Sequence, residues 1–149
     1  MHSIQATFIA LALCAGAASS ALAQSDFAQV AAKESGAKVT ASGLVFRSLQ
    51  DGQGASPTAT DKVKVHYRGT FPDGKEFDSS YKRNQPIDFP LNAVIPCWTE
   101  GVQLMKVGGK AKLTCPAEIA YGAKGTPGGP IPPHTTLFFD VELLAIVGR

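Results

Sequence analysis

Six aromatic side chains spread along the chain, Tyr67, Phe77, Phe89, Trp98, Tyr121 and Phe139, carry most of what this sequence can do chemically. The usual catalytic arrangements are missing. There is no His-x-x-x-His, no Cys-x-x-Cys and no clustering of carboxylates with histidine, so a metal site has little support. No Gly-x-Gly-x-x-Gly or Walker-type loop exists to cradle phosphates. Nucleophilic hydrolysis needs Ser or Cys beside a His. Past the N-terminal apolar run only His66 and His134 remain, one on the polar face of an alternating segment and one behind two prolines. The aromatic set has two readings, and for any one ring the packed core of a small domain is the simpler. Three features favour a pocket for the set as a whole. Tyr67 and Tyr121 carry hydroxyls that need partners if buried. Phe77 is followed directly by Asp78, a charge beside an inward position, and a Gly/Pro-rich segment follows Tyr121 like a shaped rim. Composition alone reaches an apolar pocket with a few polar groups.

The elements that must position these residues follow from periodicity. Lys62 to Phe71 alternates strictly, with Val63, Val65, Tyr67, Gly69 and Phe71 on one face, which is the pattern of a half-buried strand. Pro72-Asp73-Gly74 turns the chain, and Glu76 to Ser79 returns as a short strand. Leu44 to Leu49 and Ile87 to Leu91 read as further strands, with a polar loop over Lys82 to Pro86. Lys110 to Cys115 alternates with Ala111, Leu113 and Cys115 inward. Thr136 to Ile146 closes the chain as a strand with Leu137, Phe139, Val141, Leu143 and Ala145 inward. Pro96 introduces a helix over Trp98 to Met105, with Trp98, Val102 and Met105 on one face and Gly108-Gly109 beyond its end. A shorter helix is expected over Asp26 to Glu34, with Phe27, Val30 and Ala31 at helical spacing, then a linker from Lys38 to Ser42. Four or five antiparallel strands over one helix make an α+β domain.

The ends and the cysteines set the compartment. No Lys, Arg, Asp or Glu precedes Asp26, and the apolar run from Phe8 to Ala18 is shorter than the roughly 20 residues that span a bilayer. It leads to Ala21-Leu22-Ala23, a small-x-small cleavage pattern, so residues 1–23 are expected to be a removed secretory signal. A lipoprotein reading would use Cys14, but Leu13 stands where a small residue is wanted. With 14 basic and 12 acidic residues the net charge is +2, too balanced to imply nucleic acid or an anionic membrane as partner. Cys97 and Cys115 form an even pair in an oxidising compartment, either bonded or two small core thiols.

Five segments carry a resemblance. Val65-His66-Tyr67-Arg68-Gly69, Asp73 to Ser80, Val94-Ile95-Pro96-Cys97-Trp98, Ala120-Tyr121-Gly122, and Ile131-Pro132-Pro133-His134 through Phe139 to Leu144 resemble FKBP-type prolyl isomerases, in order and in register from Gly43 to Ile146. The stretch Ile95 to Gly101 is similar to secreted proteobacterial members related to macrophage infectivity potentiators. The resemblance implies a five- or six-stranded, twisted antiparallel half-barrel wrapped around one short helix, with the pocket between them. Residues 24–42 would be a short N-terminal helix and linker, and residues 43–149 the isomerase domain. The pocket walls would be Tyr67, Phe77, Phe89, Val94, Ile95, Trp98, Tyr121, Ile131 and Phe139, with Trp98 as floor beneath a substrate proline ring. Asp78 would share a polar network with Tyr67 and Arg83. The Ile95 N–H and the Tyr121 hydroxyl would bind carbonyls of the peptide or of macrolide inhibitors.

Ile87 stands where the family often carries an aromatic, and Thr126 where a His is common, and both touch the rim. The implied activity is cis/trans isomerisation of X-Pro bonds in exported polypeptides, in the periplasm of a Gram-negative bacterium. It would need no cofactor, no metal and no membrane span, and the chain would act as a monomer. Two rivals use the same residues: a periplasmic chaperone or proline-peptide binding module with little catalysis, and a hydrolase built on Cys97.

Overall fold

The computed structural model describes residues 26–148 of the chain. The apolar run and the cleavage site expected after Ala23 lie outside the described residues. Lys62–Thr70 (β3) is buried at every second position, as its alternation demands. Around it the chain forms β1 (Ala37–Val39), β2 (Val45–Gln50), β4 (Glu76–Ser79), β5 (Ile87–Pro90), β6 (Lys110–Cys115) and β7 (Leu137–Val147). Helix α1 covers residues 26–32 and helix α2 covers Pro96–Gln103. All strand pairs are antiparallel, in the order β1-β2-β6-β7-β3-β4, and β5 pairs with β3 alongside β4. The fold is therefore the expected α+β sheet with one helix packed on its inner face. It holds seven strands because β4 and β5 divide one edge of β3 between them and β1 adds a three-residue edge.

Three boundaries differ from the sequence reading, each for a physical reason. Residues 37–39, expected within and beside a linker, pair with Val45–Arg47, since a short exposed strand leaves no periodicity to detect. Helix α2 begins at Pro96 and not at Trp98, because proline at the first position has a preset φ and needs no donor. It ends at Gln103, and the Leu104 and Met105 N–H groups bond only three residues back, to Gly101 and Val102, so the last turn is tightened. Met105 is buried even so. In β7, Ala145 was expected inward, but the pairing steps from Lys64–Ala145 to Val65–Leu143 and leaves Leu144 over. This bulge reverses the alternation, so Ile146 is the buried residue and Ala145 is half-buried. In α1, Ala31 faces the protein, Phe27 is half-buried and Val30 is 65% exposed.

The core lies between the inner sheet face and α2. Leu44, Val63, Val65, Leu91, Val102, Leu113, Leu137 and Leu143 are fully enclosed, each contributing about 1.5–3 kcal/mol by burial. Helix α2 lies closely on β6. A Cβ built at Gly101 would stand 2.9 Å from the Leu113 methyl carbons, so a larger residue there would force the Leu113 side chain to move. Of the two readings of the cysteines, the bonded one holds: Cys97 and Cys115 form a disulfide, with their Cα atoms 5.8 Å apart and neither residue exposed.

Glu34, just past α1, ties the N-terminal segment to the sheet. It accepts hydrogen bonds from Lys112 Nζ (3.0 Å) and Arg47 (2.6 Å). The Lys112 contact is the main cause of a lowered Glu34 carboxyl pKa; partial burial opposes it and Arg47 adds to it. A depressed folded pKa contributes stability above the unfolded value and loses it as the pH falls through the folded one. Glu34→Gln is therefore expected to lower stability at neutral pH by about 0.5 kcal/mol, as for a partly exposed ion pair. Thermal unfolding across pH should show this gap closing below the ordinary glutamate value of about 4.3. A gap that widens in acid would contradict the assignment.

Candidate functional site: an aromatic cleft at the start of helix α2

Three elements converge at the N-terminal end of α2. The Leu91–Ala93 turn brings the chain off β5, and Thr99 Oγ1 holds that turn by donating to the Leu91 carbonyl at 2.7 Å. Ile95 is extended (φ −58°, ψ 147°), as a residue before proline should be. Pro96 starts the helix, which turns Trp98 inward. From the far side comes Tyr121, carried by the loop after the Ala117–Ile119 turn. Phe139 of β7 faces inward between them.

Phe89, Ala93, Val94, Ile95, Trp98, Tyr121 and Phe139 together line an open cleft of about 440 Å³, a size that accepts a small ligand or a peptide side chain. Trp98 is held by rings on several sides. Tyr67, Phe89 and Phe139 present themselves edge-to-face to it, with centroids at 5.2, 5.7 and 5.4 Å and interplanar angles of 83°, 82° and 88°. Such contacts align the positive ring edge with the negative ring face. The indole N–H is buried and has no hydrogen-bond partner among the described residues, so the floor is fixed by packing alone.

Phe77 stands behind Phe139, again edge-to-face, at 5.6 Å. Its position depends on Gly69 of β3, where a Cβ would come within 2.5 Å of the Phe77 ring and 3.0 Å of Phe139. Sequence reasoning placed Gly69 inward without seeing this use. The clue was present, since glycine at an inward strand position marks a close approach.

A polar network adjoins the aromatic wall. The Tyr67 hydroxyl donates to Asp78 Oδ2. Arg83 donates to Asp78 Oδ1 at 2.6 Å and to the Tyr67 oxygen at 3.2 Å. Burial pulls the Asp78 carboxyl pKa up, but the hydrogen bonds from Arg83 and Tyr67 outweigh it, and the net shift is downward. Asp78 is thus an anion. Burial pushes the Tyr67 hydroxyl upward, reinforced by its bond to Asp78, and burial followed by the Asp78 charge does the same for Tyr121. Behind this network Ser80, fully buried, accepts from the Tyr67 N–H at 2.7 Å and meets His66 Nδ1 at 2.8 Å. His66 stacks on Tyr81, whose hydroxyl donates to Glu142. Sequence reasoning missed the Ser80 contact, because nothing local marks a serine that fastens a neighbouring strand.

The structure brings Phe89, Val94, Ile95, Trp98, Tyr121 and Phe139 to one cleft and adds Ala93. It joins Tyr67, Phe77, Asp78 and Arg83 to that cleft through ring contacts and hydrogen bonds. Ile131 is buried in the core cluster, outside the cleft lining. It anchors the rim loop, exchanging bonds with Thr126: Ile131 N–H to Thr126 Oγ1 and Thr126 N–H to the Ile131 carbonyl, each 2.9 Å. Among the described residues no group of His, Cys, Asp and Glu is placed to hold a metal ion, and no helix is long and apolar enough to cross a membrane.

An antiparallel sheet closed on one face by a single helix, with an aromatic cleft at that helix's start and an anion secured beside it, defines an α+β domain built around one apolar cleft. The chain belongs to the FKBP-type peptidyl-prolyl cis-trans isomerase family, whose sequence profile matches residues 53–144. It is 57% identical over 115 residues to the isomerase FkpA of Aeromonas hydrophila, which covers 77% of this chain and 42% of that protein. The crystal structure of FkpA from Escherichia coli superposes with a TM-score of 0.81 at 48% identity, over 87% of this chain and 60% of that one. A crystal structure of a peptidyl-prolyl cis-trans isomerase from Pseudomonas syringae superposes with a TM-score of 0.82 at 39% identity, over 89% of this chain and 96% of its own. This chain thus spans less than half the length of the FkpA proteins it matches.

Proposed function

We propose that the chain accelerates rotation about the bond preceding proline in polypeptides, by seating the proline ring over Trp98. One observation carries this reading: an apolar, aromatic-walled cleft with two unengaged donors at its lips. Neither the Ile95 N–H nor the Tyr121 hydroxyl has a hydrogen-bond partner among the described residues. Family membership and the names of the relatives support it.

The chemistry asks for little else. Resonance sets a barrier of about 18–20 kcal/mol to rotation about the peptide C–N bond. For X-Pro the two planar forms differ by only about 0.5–1 kcal/mol, so lowering the barrier is the whole task. At the twisted midpoint conjugation is lost and the amide dipole shrinks, so apolar walls disfavour the planar forms more than the twisted one. The Ile95 N–H and the Tyr121 hydroxyl would hold peptide carbonyls while the other side of the bond turns. Asp78 orients Tyr67 and the local field; no proton transfer is required of it. Each tenfold in rate corresponds to about 1.36 kcal/mol of preferential binding.

The site of action we infer is the periplasm. The apolar run ending at Ala23 and the Cys97–Cys115 bond support an exported, oxidised chain. A protease-coupled assay on a Leu-Pro or Phe-Pro peptide is expected to show isomerisation above background, suppressed by a macrolide that fills the cleft. Background rates, with the peptide still perturbing Trp98 fluorescence, would replace catalysis by simple binding and favour the chaperone reading.

A further inference from the structure

We propose that the Cys97–Cys115 disulfide is a positioning element of the prolyl cleft, setting the distance between its two lips and thereby the affinity for peptide. The proposal rests on the isomerase reading and adds to it a pair of residues outside the cleft lining.

The bridge joins the two chain segments that carry the lips. Cys97 is in the first turn of α2, between Ile95, which lines one side of the cleft, and Trp98, its floor. Cys115 ends β6, one residue before the Pro116 that caps the Ala117–Ile119 turn, and that turn leads directly to Tyr121. Tight bonds pass the constraint onward: Ile119 N–H to Pro116 O at 3.1 Å, Ala120 N–H to Ala117 O at 3.0 Å and Gly122 N–H to Ala117 O at 2.8 Å. Tyr121 is thus built on a rigid turn that starts beside the bridge.

The geometry of α2 on β6 shows why one covalent link there matters. Cys97 and Gly101 lie one turn apart on the helix face that meets Cys115 and Leu113, two apart on the inward face of β6. Four helical residues advance about 6 Å and two strand residues about 6.6 Å, so the two contacts stay in step. Gly101 supplies close approach but no hold. At the cleft end the disulfide supplies the hold. Its removal would free the start of α2 to shift against β6, while the ring contacts around Trp98 persist. Lips that must be ordered by the peptide bind it more weakly, because that ordering then opposes binding. Turnover changes less, because once the peptide is bound the lips are already ordered.

Trp98 is the only tryptophan in the chain, so its fluorescence reports on this cleft. The test compares the oxidised protein with Cys97→Ala/Cys115→Ala and with Cys97→Ala/Cys115→Val, which restores buried volume without the link. All are measured at 10 °C with folding checked by far-UV circular dichroism. A Phe-Pro tetrapeptide is titrated against Trp98 emission, and KM and kcat are determined separately. The expected result is a KM and Kd raised about three- to tenfold in both variants per folded molecule, kcat within about twofold, and no rescue by the valine. A bridge that only stabilises the fold would lower Tm and leave KM per folded molecule unchanged, which would overturn the proposal. So would rescue by valine. If neither variant folds, the wild type is reduced under native conditions by a dithiol, which takes up the two electrons' worth of oxidation as its own cyclic disulfide and leaves two protein thiols to be counted. The same KM comparison then decides. An oxidised wild type that binds the peptide without isomerising it would instead defeat the isomerase reading and leave the lip-spacing test on Kd intact.

Discussion

A Trp98→Ala variant is expected to lose about 99% of its kcat/KM on a Phe-Pro peptide, a hundredfold fall equivalent to about 2.7 kcal/mol of transition-state stabilisation. Trp98 is the residue on which the Tyr67, Phe89 and Phe139 rings converge edge-on. Removing it deletes the surface against which a proline ring would lie and lets those three rings collapse inward. The fold also suffers, by about 3–5 kcal/mol for a buried Trp cut to Ala. Activity must therefore be read per folded molecule, at low temperature, with the folded fraction taken from far-UV circular dichroism. Trp98→Phe separates the two effects. Because the indole N–H has no partner among the described residues, a phenyl ring leaves no acceptor unsatisfied, and it keeps a flat floor. Its loss should be nearer three- to tenfold, of the size set by one imperfectly filled apolar contact. Full activity per folded Trp98→Ala molecule would show that the proline is bound elsewhere.

Asp78→Leu is expected to lower kcat/KM about tenfold, about 1.4 kcal/mol, with a smaller loss of stability. The change removes the acceptor of the buried Tyr67 hydroxyl and the partner of Arg83 together. Tyr67 then loses the bond that fixes its ring against Trp98. Asp78→Asn keeps an acceptor for that hydroxyl and should retain most of the rate, since no proton leaves or arrives at this position. The pH profile makes the same point. Asp78 is held below the ordinary aspartate range because the Arg83 and Tyr67 bonds outweigh burial, while burial raises both Tyr67 and Tyr121. None of these three groups then titrates between about pH 5 and pH 9, and the wild-type rate should be flat there. As the pH falls below the ordinary aspartate value, the stability that a depressed carboxyl contributes only above its unfolded pKa is lost, so the folded fraction should decline there while the rate per folded molecule changes little, as in Asp78→Asn. A bell-shaped profile centred near neutrality would mean acid–base catalysis and would overturn this reading of the site.

Local pattern carried the strands with one wet and one dry face. In β3 every inward residue from Val63 to Gly69 is where period two put it, because a pleated strand between two partners leaves its side chains no other choice. The same logic failed at the end of β7. Leu144 is an extra residue on one strand only, and a bulge is a property of the pairing, not of either strand alone. Strand β1 escaped for the related reason that three mostly exposed residues hold no face to detect. For the site, Trp98, Phe89, Tyr121 and Phe139 stood out as aromatics in a small domain. Asp78 and Arg83 acquired a joint meaning only through the family resemblance, and their bonds to Tyr67 show the network in space.

By itself, then, the sequence determined which faces are apolar, where proline starts a helix, that two cysteines form an even pair, and that no nucleophile or metal cluster is spelled out by local spacing. These are matters of residue type at short range. Tertiary structure decided between bonded and free thiols for Cys97 and Cys115, showed that Gly69 leaves room for Phe77, and gave the distances at which an anion, a guanidinium and a phenol meet beside the indole. Each of those is a contact between residues on different elements. Such contacts depend on how the sheet lies against α2, and that is settled by the packing of the whole core.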